Sequence, residues 1–158
     1  MRPTPERVRE TLFNWLAPRI EGARCLDLFA GTGVLGLEAL SRGAAAVVLV
    51  ERNQEVADAL RQSIDKLGAA SARVVTGDAL GFLQEAEPLP MDIVFLDPPF
   101  ADSAAQAIAV LDGRGWLAKR ASLYIEQDAA KPHPVLPDGL TVRREKKAGN
   151  VRYLLVDA

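Results

Sequence analysis

The feature that most constrains the fold is a repeated alternation between short apolar runs and longer amphipathic stretches. The apolar runs cover residues 24–29, 45–51, 72–78, 92–97 and 122–127. Runs that are apolar throughout are typical of strands buried on both faces of a parallel sheet. The stretches between them repeat apolar residues at helical spacing, so they supply the crossover helices. The alternation predicts a doubly wound, Rossmann-like α/β fold.

Both ends of the chain extend this pattern. Thr4 and Pro5 suit an N-cap and a first helical position, and Pro18 and Gly22 are expected to end the opening helix. Near the other end, segments 140–145 and 150–156 flank the short turn KKAG. A turn that short joins antiparallel strands, so we expect a mostly parallel seven-stranded sheet that ends in an antiparallel hairpin.

The length of 158 residues predicts one domain. Within residues 1–158 we expect an N-terminal helix at 1–22, a core at 23–130 and a C-terminal hairpin at 138–158. No run approaches the ~18 apolar residues of a membrane helix, and the N-terminus lacks the apolar stretch of a signal peptide. A cytoplasmic protein without a membrane partner is therefore expected, most simply as a monomer. Cys25 is the single cysteine, which excludes an internal disulfide and a cysteine-based metal cluster, and we expect no metal.

The net charge of −2 conceals an uneven distribution. Residues 1–24 hold five basic and three acidic residues, and residues 119–158 hold eight basic and five acidic ones. The segment between them has six basic and 13 acidic residues. An acidic centre between basic ends is consistent with a nucleic-acid partner, although a solvated surface without function could show the same distribution.

A carboxylate stands at or near the carboxyl end of four successive predicted strands. These residues are Asp27, Glu51, Asp78 and Asp97. Ligands of open α/β sheets bind at this edge, so the series indicates a site for a ligand with hydroxyl groups and positive charge. For any one of them, a helix-start residue or a solvated loop is an equally good interpretation.

The first of these carboxylates opens a glycine loop, residues 27–36. Gly31, Gly33 and Gly36 match G-x-G-x-x-G, and Glu51 follows Gly31 by 20 residues, as the dinucleotide fingerprint requires. Glycine lets the backbone approach a ligand, and the next helix directs its free N–H groups at it. The motif alone does not separate a nicotinamide enzyme from users of other cofactors.

The segment LDPPF, residues 96–100, narrows the chemistry. Two prolines remove two N–H groups and stiffen the backbone, Asp97 adds an acceptor, and Phe100 adds an aromatic face. This set suits a planar ring with an exocyclic amine that donates to Asp97 while the ring stacks on Phe100. A hydride-transfer site does not need it.

With these motifs the chain resembles the class I S-adenosylmethionine-dependent methyltransferases, in the amino-methylating branch with a (D/N)PP(F/Y) motif. The blocks RPTPERVRETLFNWL, LDLFAGTGVLGLEALSRGA, DIVFLDPPF and REKKAGNVRYLL together resemble the RsmD family of 16S ribosomal RNA guanine-N2 methyltransferases. Family members usually carry a further N-terminal arm before the RPT segment. This sequence begins at that segment, so weaker RNA docking is expected.

The resemblance implies the cofactor S-adenosylmethionine, a ribosomal RNA or small-subunit partner, and a role for each motif. Asp97, Pro98, Pro99 and Phe100 would hold the target base, and Asp97 would support the charge that develops on its nitrogen. The implied cofactor residues are Asp27, Phe29, Ala30, Gly31, Thr32, Gly33, Glu51, Arg52, Asp78, Ala79 and Asp97. The basic ends suggest phosphate contacts by Arg2, Arg7, Arg9, Arg144, Lys146 and Lys147, with Arg143 and Arg152 as further candidates.

Other functions remain open at this point. The acceptor could be a DNA adenine or a protein glutamine, the glycine loop could serve an NAD-binding protein, and the fold could be retained in a noncatalytic RNA-binding factor. Arg144 and Lys147 could equally be edge-strand charges that discourage aggregation.

Overall fold

The strands form one seven-stranded sheet in the order β3-β2-β1-β4-β5-β7-β6. A computed structural model describes residues 5–98 and 101–158, with the backbone alone for residues 101 and 102. The strands are β1 (Arg24–Asp27), β2 (Ala46–Glu51), β3 (Ala72–Thr76), β4 (Met91–Leu96), β5 (Leu117–Asp128), β6 (Thr141–Ala148) and β7 (Val151–Asp157). Strands β1 to β5 are parallel, and β7 is antiparallel to both β5 and β6. The predicted doubly wound fold with an antiparallel C-terminal hairpin is confirmed.

The helices lie on both faces of the sheet. They are α1 (Glu6–Ile20), α2 (Val34–Ser41), α3 (Gln54–Leu67), α4 (Ala79–Glu85) and α5 (Ala101–Gly113). Helices α1, α2 and α3 share one apolar cluster with alternate strand residues such as Cys25 and Phe95, whereas α4 and α5 share the other cluster. Both faces of the central strands are therefore buried, which explains why their sequences are apolar throughout.

The strand order reverses at β1, which has β2 on one side and β4 on the other. Ligand sites of open α/β sheets lie at such a switch point, outside the carboxyl ends of the strands. The residues at the carboxyl ends of β1 and β4 are Asp27 and Leu96, and Asp97 follows directly. The topology thus places two of the predicted carboxylates at the crevice.

Details of three elements differ from the sequence-based expectations. Helix α1 continues past Pro18 and ends two residues later, at Ile20. Burial of Ile20 against the sheet stabilises this last part of the helix. Pro5 precedes the helix, and Thr4 lies outside the described residues. The hairpin turn consists of Gly149 and Asn150, because residues 146–148 of the expected KKAG turn continue the pairing of β6 with β7. Strand β5 begins at Leu117, five residues before the predicted start.

Across the described part of the chain, no helix has the length and apolar character needed to span a membrane.

Candidate active site

Three carboxylates meet on one face of the sheet around the switch point. Cys25, Leu49 and Phe95 belong to the cluster under α1, α2 and α3. Side chains alternate along a strand, so Asp27, Glu51 and Asp97, each two residues further on, face the same side. Asp27 and Glu51 are buried, and Asp97 is half-buried. The structure therefore brings three of the four predicted carboxylates together.

The glycine loop is held in place by the carboxylate of Glu51. The backbone N–H of Gly31 donates to Glu51 Oε1 at 2.9 Å, and the N–H of Asn53 donates to Oε2 at 2.8 Å. Gly31 and Gly33 have φ angles of 55° and 80°, a region that favours glycine. Glu51 thus ties the end of β2 to the loop after β1, an interaction that spacing in the sequence suggested but did not specify.

Gly36 serves packing. A Cβ at this position would lie 2.7 Å from Leu49 Cδ2 and 3.1 Å from Val47 Cγ2, so the absence of a side chain lets α2 contact β2 closely. The third glycine of the dinucleotide fingerprint has this helix-to-strand role. Gly36 therefore has a packing role, and only Gly31 and Gly33 of the motif are placed to face a ligand.

Asp27 lies in an environment that disfavours its charge. Burial raises the pKa of its carboxyl to about 7, and the charges of Glu51 and Glu126 act in the same direction. Hydrogen bonds from the backbone N–H groups of Gly36 and Phe29 partly oppose the shift. A cationic ligand beside Asp27 would favour the ionised form.

Asp97 has a carboxyl neighbour that the sequence patterns did not reveal. Leu96 pairs with Ile125 in the parallel register of β4 and β5, so the next residues along the two strands are Asp97 and Glu126. Burial raises the pKa of Asp97 to about 8, and the charge of Glu126 and a side-chain hydrogen bond to it act in the same direction. A signal for Glu126 was present: a carboxylate near the end of the fifth apolar run, as in the preceding four strands.

Asp78 stands apart from the other carboxylates. Its Oδ2 accepts a hydrogen bond of 2.9 Å from the backbone N–H of Gly81, so it is the N-cap of α4, and its side chain is exposed. The alternative interpretation as a helix-start residue therefore applies to Asp78, without excluding a ligand contact. Of the other cofactor candidates, Ala30, Gly31, Gly33 and Ala79 are buried, Phe29 is half-buried, and Thr32 and Arg52 are exposed.

The base-binding segment is only partly described. Pro98 follows Asp97 and is half-buried. Pro99 and Phe100 lie outside the described residues, as does Arg2 among the basic candidates.

The remaining basic candidates fall into two groups. Arg7, Arg144, Lys146 and Lys147 are exposed. Arg9 pairs with Glu38 at 3.4 Å and is half-buried. Arg152, expected at a phosphate, is instead buried and donates to Gln127 Oε1 and to the carbonyls of Ala129 and Lys131, because it anchors the segment after β5. Arg143 also has a partner within the protein, because it donates a hydrogen bond of 3.0 Å to Asp157.

The strand register separates these cations along the sheet. Lys146 and Lys147 pair with Tyr153 and Arg152, which pair in turn with Glu126 and Gln127 at the carboxyl end of β5. Lys146 and Lys147 therefore lie at the same end of the sheet as Asp97. Arg143 lies near the opposite end, where it lines a cleft of about 590 Å³ together with Lys119 and Arg120.

Comparison with known proteins agrees with this architecture. A family model described as "Conserved hypothetical protein 95" matches residues 1–157. The ribosomal RNA small subunit methyltransferase D of Escherichia coli is 47% identical over 98% of this chain and 78% of its own length.

Two solved structures share the fold. The methyltransferase yhhF from Escherichia coli superposes with a TM-score of 0.95 at 46% identity, over 99% of this chain and 88% of that one. An RNA methyltransferase from Salinibacter ruber, solved in complex with S-adenosyl-L-homocysteine, has a TM-score of 0.76 at 16% identity, over 99% of this chain and 93% of that one. The second similarity concerns the fold alone. By the family match and the near full-length identity, the chain belongs to the ribosomal RNA small subunit methyltransferase D family.

Proposed function

We propose that this protein transfers a methyl group from S-adenosylmethionine to the exocyclic amine of a guanine in small-subunit ribosomal RNA. The observation that carries the proposal is the position of Asp97 and Pro98, directly after β4 and beside Asp27 at the switch point. Membership of the family supports the reaction and the class of substrate. The choice of the guanine amine depends on the sequence Asp97 to Phe100 and stays a prediction.

The donor set around the glycine loop fits S-adenosylmethionine. This ligand carries a cationic sulfonium and an ammonium group, which suit the buried carboxyl of Asp27, and ribose hydroxyls, which suit the carboxylate of Glu51. Each Glu51 oxygen accepts one backbone N–H and keeps a second lone pair for a hydroxyl. We assign the methionine part to Asp27, Phe29, Ala30, Gly31, Thr32 and Gly33, the ribose to Glu51 and Arg52, and the adenine to Asp78 and Ala79.

The protein's contribution to the chemistry is placement and electrostatic support. When bound, S-adenosylmethionine supplies a methyl group that is already activated by the sulfonium. The guanine amine is a poor nucleophile because its lone pair is delocalised, so a hydrogen bond to Asp97 must orient it for in-line attack. Such positioning can contribute ~7 to 11 kcal/mol of the barrier. The cofactor held by Asp27 and Glu51 would supply the methyl group and keep the electron pair of the broken C–S bond on sulfur, and the methylated amine would become acidic. Asp97 stabilises the positive charge that develops on nitrogen.

The RNA is expected to reach the site from the edge of the sheet that carries Lys146 and Lys147. Both are exposed and lie at the Asp97 end of the hairpin. Arg7 and Arg144 are exposed as well, whereas Arg9 would first have to leave Glu38. A guanine must leave its stack to enter the pocket, at a cost of a few kcal/mol that is least in a loop or a single strand.

Methyl transfer to ribosomal particles tests the proposal directly. The purified protein is incubated with labelled S-adenosylmethionine and small ribosomal subunits from a strain that lacks this modification. We expect one N2-methylguanine per 16S ribosomal RNA, identified by mass spectrometry of the digested RNA. Naked RNA is tested in parallel, because the proposal leaves open whether the substrate is RNA or the assembled subunit.

The matched control is Asp97→Ala, which keeps the cofactor loop and removes the acceptor for the amine. Label in a protein glutamine or in a DNA adenine, with none in RNA, would refute the proposed acceptor. Binding of NADH without binding of S-adenosylhomocysteine in calorimetry would refute the cofactor.

A further inference from the structure

Glu126 is a buried carboxyl that the proposed reaction does not use. It lies near the end of β5 and is 8% exposed. Buried carboxylates are costly unless they are paired with a charge or hydrogen bonded. Its partners therefore indicate why the fold keeps an ionisable group at this position.

Tyr124 and Asp97 are neighbours of the Glu126 carboxyl. The Tyr124 hydroxyl donates to Glu126 Oε1 at 2.7 Å, and Asp97 lies beside Glu126 because Leu96 pairs with Ile125 in the parallel register of β4 and β5. Two ionised carboxylates at adjacent buried positions repel each other, and one proton shared between them relieves this repulsion. The Tyr124 ring is itself fixed, because it stacks on Tyr153 with centroids 6.4 Å apart.

We infer that Glu126 is a positioning residue for Asp97: it holds the shared proton against one Asp97 oxygen and leaves the other to accept from the target amine. This inference rests on the proposed methyl transfer to an amine. With the proton between the carboxyls, the pair carries a single negative charge, which the amine hydrogen bond keeps on Asp97. Tyr124 keeps the Glu126 carboxyl in the required orientation through its hydroxyl.

The proton balance of the reaction is compatible with this arrangement. Once the N–C bond has formed, the amine nitrogen releases one proton to the free Asp97 oxygen. The pair then holds two protons and no charge until water removes one of them. Glu126 thus contacts neither the base nor the methyl group and acts only through Asp97.

Ionisation of the pair should be visible in the pH dependence of the rate. Among the described residues, the titratable groups that interact with Asp97 are Glu126 and Tyr124 on β5 and Asp27 on β1, and Tyr153 stacks on Tyr124. Burial and the charge of Glu126 raise the pKa of Asp97 to about 8. Above this pH the shared proton is lost, and two like charges repel each other in a buried site.

The test is the substitution Glu126→Gln, assayed for methyl transfer over a pH series. The amide can donate to Asp97 as the shared proton does, and its oxygen can still accept from Tyr124. We expect less than about a tenfold loss near pH 7, the value of roughly one hydrogen bond. Above about pH 8 the rate of the variant relative to wild type should rise, because the amide has no proton to lose. Glu126→Leu, which can neither donate to Asp97 nor accept from Tyr124, should lose roughly 10 to 100-fold near pH 7.

A second measurement does not depend on activity. In the free protein with ¹³C-labelled carboxyl groups, NMR titration of Asp97 should show a transition near pH 8 in wild type. In Glu126→Gln this transition should move to lower pH, because the neighbouring charge is gone. Asp112→Asn, a change to an exposed carboxyl on α5, serves as the control and should leave both the titration and the rate profile unchanged.

The outcomes separate this inference from the proposed function. If wild type methylates RNA but the rate ratio of Glu126→Gln to wild type is flat from about pH 7 to 9.5, Glu126 has only a structural role and the inference is wrong. An Asp97 titration near its ordinary range in wild type would overturn it too. If wild type methylates no RNA, the proposed function fails, while the titration still reports on the shared proton.

Discussion

At the scale of single residues, the fold places carboxyl groups where ionisation is costly. Asp27 and Asp97 lie beside each other at the switch point, and burial is the largest cause of the raised pKa in both. Glu51 is different, because two backbone N–H groups satisfy its oxygens. The charges of these carboxylates therefore destabilise the folded protein, and we expect a bound cationic ligand to reduce this destabilisation.

The first residue-scale prediction concerns Asp27→Asn. The folded pKa of about 7 exceeds the ordinary 3.8, so the neutral carboxyl favours the folded state below about pH 4, and this contribution is lost as pH rises through 7. The amide does not ionise. We expect the free energy of unfolding of the variant, minus that of wild type, to rise by roughly 2.5 kcal/mol between about pH 5 and pH 8. Urea unfolding at both pH values measures it.

For Asp27→Asn the control is Asp112→Asn, which removes an equal charge from an exposed position. Its difference from wild type should stay constant over the same pH range. A constant difference for Asp27→Asn would contradict the burial of an ionising group.

The second residue-scale prediction concerns Asp97→Ala. Loss of the acceptor should lower the rate of methyl transfer ~100 to 1,000-fold, the range found when a single preorganised polar group is removed. S-adenosylhomocysteine should bind nearly as in wild type, as measured by calorimetry. An equal loss of rate and cofactor affinity would make Asp97 a cofactor residue instead.

At the scale of elements, the approach of α2 to β2 positions the glycine loop. The loop runs directly into α2, and Gly36 allows the helix to lie against Val47 and Leu49. A displaced α2 would move the N–H groups that follow Gly33. Packing of this one helix is therefore linked to the geometry of the proposed cofactor site.

The element-scale prediction is that Gly36→Val destabilises the protein by roughly 1 to 3 kcal/mol, because the new side chain overpacks a buried interface. Thermal or urea unfolding measures it. Gly113→Val near the end of α5 is the matched control, since a Cβ there meets nothing within 4 Å. It should change stability by less than about 0.5 kcal/mol, and equal effects at the two sites would refute the packing role.

At the scale of the whole molecule, the small net charge of −2 results from an acidic centre and basic ends. The hairpin of β6 and β7 brings Lys146 and Lys147 to the Asp97 end of the sheet. Strand β6 is also the edge of the sheet, where exposed lysines discourage pairing with another chain. The two roles are compatible, and only RNA binding distinguishes them.

The whole-molecule prediction is that combined Lys146→Ala and Lys147→Ala weakens RNA binding and reduces its salt dependence. On single-stranded RNA, the slope of log affinity against log salt should fall in magnitude by about 0.7 for each phosphate that the variant no longer neutralises. Fluorescence anisotropy with an RNA loop measures it. Lys66→Ala, an exposed lysine on α3, is the control. An unchanged slope in the double variant would leave the lysines as edge-strand charges.

The amino-acid sequence was sufficient to predict the strands, the helices and the edge of the sheet at which Asp27, Glu51 and Asp97 meet. Strand identity follows from local composition, because a strand buried on both faces must be apolar throughout. The position of Asp27, Glu51 and Asp97 at strand ends follows from the same runs. Where the interpretation depended on a single residue, as for the helix end expected at Pro18, it was less accurate, because a helix end depends on what the last turn packs against.

Which side chains meet was settled by tertiary packing. The pairing of Asp97 with Glu126 requires the register of β4 against β5, and these strands are separated by α5 in the chain. The hydrogen bonds from Arg152 to the carbonyls after β5 likewise depend on the antiparallel pairing of β5 with β7. Contacts between distant segments are fixed by strand order and burial together, and neither has a local signal in the sequence. The residue types therefore indicated the chemistry of the candidate site, and the tertiary packing determined its geometry.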